Sequence, residues 1–138
     1  MGQYTKVTVA RQSFFQIVAN QESHSGDLRI WRGNLPESGG STVVGFENHS
    51  GRTRLGSGVR PLGKVLKGYG NNGKDKTEGV RYRNAFCTYS HGPVLPKNPA
   101  FADTLLETAL RRKYGACTLE PLQDQFENLA HDSVLKKI

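Results

Sequence analysis

Hydrophobic and polar positions fall into short strand-like runs over the first two thirds of this chain and into helical periods over the last third. Val7 and Val9 alternate with polar neighbours as in a strand, and Phe14-Phe15-Gln16-Ile17-Val18 is an apolar cluster. Residues 20–26 are polar and read as a loop. Leu28, Ile30 and Arg32 share one face of a strand over residues 27–35, which the turn residues 36–40 break. Residues 41–47 predict the next strand, closed by a polar turn at Asn48-His49-Ser50-Gly51. The basic, glycine-punctuated stretch 52–59 reads as a loop or ragged hairpin, and residues 61–67 as another strand. Val80-Arg81-Tyr82-Arg83 alternates like an edge strand, Asn84 turns the chain, and residues 85–89 resume as a strand leading to His91. Asn98 as N-cap and Pro99 at the first helical position predict a helix. Phe101, Leu105, Leu106, Ala109 and Leu110 recur on it at helical spacing, and Gly115 stops it. Leu122, Phe126, Leu129, Ala130 and Val134 predict a last amphipathic helix, with His131 at its surface.

Composition narrows this picture. The 138 residues suggest one domain or part of a larger one. No apolar run reaches a membrane span and the N-terminus lacks a signal-peptide core, so the chain reads as cytoplasmic. Cys87 and Cys117 form neither a C-x-x-C pair nor a metal spacing, so reduced, buried thiols are expected and no metal or cofactor. The net charge of +7 is concentrated. Between Arg52 and Arg83 stand nine lysines and arginines against Asp75 and Glu78, an excess of seven. Such a segment attracts anions in general. A solvated hairpin face is the plainer account, and with no aromatic-basic recognition motif beside it a nucleic-acid partner is not expected.

Gly68, Gly70 and Gly73 satisfy G-x-G-x-x-G, and Gly68 to Lys74 begin a phosphate-binding loop pattern. Asp75 stands where the magnesium-binding hydroxyl belongs, and no helix opens at Gly73. Asn72-Gly73 between strand-like flanks is a hairpin turn signal instead, so nucleotide binding is rejected. His91, just past the carboxyl end of a strand and before a Gly-Pro break, is the candidate of chemical interest. Open α/β sheets gather ligands at that end, and an imidazole there suits a general base.

Several segments together resemble one family. Gly45 to Thr53 reads G-F-E-N-H-S-G-R-T, residues 61–65 and 68–73 resemble the strand and hairpin that follow it, and Thr88 to Pro99 reads T-Y-S-H-G-P-V-L-P-K-N-P. These runs resemble the cobyric-acid-synthase-like class I glutamine amidotransferases, in particular the branch serving as glutaminase subunit of lipid II isoglutaminyl synthase. The resemblance covers residues 26–138 and leaves 1–25 as a poorly matching N-terminal segment.

It implies an α/β fold: the C-terminal part of a flavodoxin-like amidotransferase domain, with a mixed sheet and two C-terminal helices. It implies hydrolysis of glutamine by a cysteine thiolate served by a histidine, which His91 matches. Arg29 falls near the glutamine-contacting arginine, with Arg32 as competitor. The implied partner is a Mur-ligase-like, ATP-dependent subunit that amidates the D-glutamate of lipid II in peptidoglycan synthesis, at the inner face of the membrane.

The sequence departs from the family at one essential point. The nucleophile's C-G-G-Y-Q elbow is absent, and Met1-Gly2-Gln3-Tyr4 resembles the residues just after it. Cys87 lies along the strand that carries His91 and is poorly placed to replace it, and Cys117 has no base nearby in sequence. The expectation is therefore a glutaminase-family domain inactive by itself. A non-catalytic ligase-docking module, the glutaminase part of a cobyric-acid-synthase-like enzyme, and self-association of a shortened domain are the other readings.

Overall fold

The chain folds as an α/β domain, with antiparallel sheets followed by two C-terminal helices. The computed structural model describes residues 15–33, 41–91, 93–116 and 118–137, the first of these spans as backbone only. The expected strand at Val7 and Val9, the break at 36–40, and Cys117 lie outside them.

Strand β1 (Phe15–Gly33) and strand β2 (Thr42–Leu55) form a long antiparallel pair. Strand β3 (Gly63–Lys67) joins the other edge of β1, and β4 (Thr77–Glu78) follows on β3. The strands β5 (Val80–Tyr82) and β6 (Ala85–Cys87) make a separate two-stranded sheet. Strand β7 (Ser90–His91) returns to β2, giving the order β4-β3-β1-β2-β7. Every described ladder runs antiparallel, which suits the short connections, since parallel neighbours need a crossover of about a dozen residues or more.

Two expected breaks are absent. Residues 20–26 and 48–51 belong to β1 and β2 rather than to turns. The register explains how polar residues are accommodated. Ala19 pairs with Gly51 and His24 with His49, so the intervening residues of β1 face only Ser50 in an irregular bulge. Backbone pairing resumes on either side, and the two strands continue.

The core sits where β2 meets the first helix. A short 3-10 turn (Leu95–Lys97) leads into helix α1 (Pro99–Tyr114), whose Phe101 packs on Val43 and Leu62, with Phe86, Val94 and Leu105 around them. Leu106, expected on the core face of α1, is exposed. The helix ends at Gly115, whose N–H still reaches the Arg111 carbonyl while its positive φ of 85° turns the following chain out of the helix.

Helix α2 (Gln125–Leu135) differs from its expected orientation. It buries Val134, while Leu122 just before it and Phe126 and Leu129 on it are 77%, 78% and 58% exposed. His131 decides which side faces inward. Far from being a surface residue, its Nδ1 lies 2.9 Å from the Lys97 carbonyl and its Nε2 3.0 Å from the Thr42 hydroxyl. Among the described residues no helix is long and apolar enough to cross a membrane.

Candidate functional site

His91 sits at the edge of the five-stranded sheet, where its backbone pairs with Phe46 while Ser90 pairs with Glu47. Gly45 permits this close approach, because a Cβ there would lie 3.2 Å from that of Ser90. The His91 ring meets the Phe46 ring edge-on, with centroids 4.3 Å apart at 62°. The side chain is exposed. Among the described residues, no hydrogen bond engages its nitrogens, so the imidazole is open to exchange a proton.

Arg29 lies on β1 with Gly45 as its partner, one row from the Leu28–Phe46–His91 row. Arg32 pairs with Thr42 on one side and Lys64 on the other, farther along the strand. Both side chains lie outside the described residues.

The opposite face of β2 carries a second histidine with a different character. Glu47 and His49 are two residues apart on one strand, hence on one face. The Glu47 carboxylate is buried and in contact with His49 Nε2, and His49 Nδ1–H donates to the Gly51 carbonyl at 2.7 Å. The ring stacks on Tyr89, centroids 3.7 Å apart, and the Tyr89 hydroxyl lies 2.6 Å from that of Thr53. Both His49 nitrogens are engaged, so this ring holds the strand together and is a poor candidate for a base. Reading residues 48–51 as a turn concealed this pair; the alternation of Glu47 and His49 was the signal that would have found it. A hollow of about 180 Å³ adjoins the pair, lined also by Arg52, Tyr69 and Lys74.

The glycine-rich stretch forms the expected hairpin between β3 and β4. Its amides are used internally: Asn72 Oδ1 accepts from the Lys74 and Asp75 N–H groups at 2.9 and 3.1 Å, and Gly73 N–H donates to the Tyr69 carbonyl at 2.8 Å. A phosphate would have to displace these bonds, which argues against nucleotide binding. Burial tends to raise the Asp75 pKa, but hydrogen bonds from the Thr77 hydroxyl, the Asn72 amide and the Thr77 N–H outweigh it and hold the carboxyl below its ordinary value. Cys87 is exposed rather than buried, because it lies on the small β5–β6 sheet, outside the core. Among the described residues no group of three or more His, Cys, Asp or Glu side chains is placed to hold a metal.

Residues 5–99 match the model of the CobB/CobQ-like glutamine amidotransferase domain. The chain is 47% identical over 90 residues to the lipid II isoglutaminyl synthase (glutamine-hydrolyzing) subunit GatD of Streptococcus pneumoniae, a match covering 65% of this chain and 33% of that protein. It is 57% identical over 72 residues to the Staphylococcus aureus subunit of the same name, covering 52% and 29% respectively. A probable cobyric acid synthase of Methanothermobacter thermautotrophicus is 38% identical over 87 residues, 63% of this chain and 16% of the relative. The chain thus spans a third or less of the length of the curated relatives it matches.

Proposed function

The chain belongs to the CobB/CobQ-like glutamine amidotransferase family, and from that premise we propose that it is the base-bearing portion of a glutaminase. In this reading His91 serves a cysteine thiolate that attacks the side-chain amide of glutamine. Collapse of the tetrahedral intermediate expels ammonia with a proton from His91. His91 then takes a proton from the water that cleaves the thioester, giving glutamate. Arg29 grips the α-carboxylate of glutamine with its two-pronged guanidinium. The observation that carries the reading is the exposed His91 ring, open at a sheet edge within the family-matched run.

No C-G-G-Y-Q elbow occurs in this sequence, so the nucleophile is supplied by another polypeptide segment and the chain alone does not hydrolyse glutamine. The names of two relatives support lipid II amidation; in the proposed reading a Mur-ligase-like, ATP-dependent subunit consumes the ammonia in the cytoplasm beside the membrane. Cobyric acid synthesis is the second reading, supported by the third relative.

The test is release of glutamate from glutamine by the chain alone and with a separately expressed segment bearing the elbow. We expect none alone, turnover with the segment, and at least about a hundredfold loss on His91→Ala, the usual scale for a general base. Turnover by the chain alone with both cysteines replaced, unaffected by His91→Ala, would overturn the reading.

A further inference from the structure

We infer that Glu78 and Thr88 are positioning residues that set the strand carrying His91, an inference that rests on the reading of His91 as the base. Glu78, on β4, is fully buried, and its Oε1 accepts hydrogen bonds from the Thr88 hydroxyl at 2.7 Å and the Tyr89 N–H at 2.9 Å. Thr88 Oγ1 also accepts the Ser90 N–H at 2.9 Å. Because the hydroxyl donates its one proton to Glu78, the polarity of the chain is fixed: Ser90 N–H to Thr88 Oγ1–H to carboxylate.

One carboxylate thus organises the backbone of Tyr89 directly and that of Ser90 through Thr88. Ser90 is buried and pairs with Glu47, and the next residue is His91.

The neighbouring backbone presses the same way. Gly79 has φ 57°, and a Cβ on it would lie 2.1 Å from the Cys87 carbonyl oxygen, so the corner after Glu78 sits against the residue preceding Thr88. The Asn71 amide donates to the Gly79 carbonyl at 2.9 Å and keeps that corner in place.

Stability alone does not call for a carboxylate here. Burying one carries a desolvation cost, and an apolar side chain of similar volume is often neutral or better in such a place. What the carboxylate supplies is direction, and a base works only when held within about half an ångström of its productive place.

Thr88→Val removes the relay without changing side-chain shape, and Thr88→Ser restores the hydroxyl. In the folded chain we expect Thr88→Val to raise amide exchange at Ser90 about tenfold, the scale of one hydrogen bond. The His91 ring resonances should shift while those of His131 stay in place. Thr88→Ser should return both readouts to wild type, and Glu78→Gln, which keeps an acceptor oxygen, should fall between.

Unchanged His91 resonances and Ser90 exchange in Thr88→Val would overturn the inference. So would a uniform loss of protection at Val43, Val65 and Ser90, which would mark a merely structural role. Where turnover is reconstituted, kcat should fall with KM unchanged. The resonances report positioning whether or not glutamine is hydrolysed, so failure of the glutaminase reading is separately visible.

Discussion

At the scale of single residues, Asn98 shows how a side chain can stand in for a strand. Its Oδ1 accepts the Val44 N–H and its Nδ2 donates to the Val44 carbonyl, each at 2.8 Å, just beyond the point where β7 stops pairing with β2. A second bond from Nδ2 to the Val94 carbonyl at 2.6 Å ties the turn before α1 to the same place. Asn98 is at the N-cap position expected from the sequence, but its side chain makes no capping bond. Local pattern located the residue; its partner lies 54 positions away and leaves no local trace. His131, bonded beside it, was illegible for the same reason. Asn98→Ala should cost about 2–4 kcal/mol, because both polar groups of the fully buried Val44 backbone lose their partner, and urea denaturation would measure it. The strand end at His91, by contrast, was legible from the Gly-Pro break that follows it in sequence.

At the scale of elements, hairpins set by turn chemistry were the readable ones. Asn72-Gly73 gave the β3–β4 connection, whereas Asn48 to Gly51 looked like a turn and is strand. The difference is in the partners: β1 supplies a ladder across the polar residues, and no local propensity reveals that ladder in advance.

The hairpin loop carries its own pH dependence. The Asp75 pKa is depressed in the folded state, so its bonds to Asn72 and Thr77 favour folding above the unfolded carboxylate pKa. That contribution is lost as pH falls through the folded pKa. Thermal melts should therefore show a smaller loss of stability on acidification, from about pH 4 downward, in Asp75→Asn than in the wild type, the side chain being exposed and the effect modest.

At the scale of the whole molecule, Phe126, Leu129, Ala130 and Val134 were correctly placed on α2, while Leu122 falls just before it, and which of them are buried was not foreseen. The helix docks through His131 and Val134, leaving Leu122, Phe126 and Leu129 outward. Periodicity registers an apolar stripe; it does not say which side of the stripe meets the sheet. Phe126→Ser should accordingly change stability by no more than about 0.5 kcal/mol, against about 3–5 for an aromatic truncated in a core. Equilibrium unfolding of the two forms would separate these outcomes.

The amide of Asn98 also bears on how the protein ages. Asparagine deamidates when the nitrogen of the following residue loses its proton and attacks the side-chain carbonyl. Residue 99 is proline, whose nitrogen carries no proton to lose. The one asparagine that could not become aspartate without setting an anion against the Val44 and Val94 carbonyls is therefore shielded from that route. Asn72, followed by glycine, has no such protection. Peptide mapping by mass spectrometry after prolonged incubation should find conversion at Asn72 well before any at Asn98.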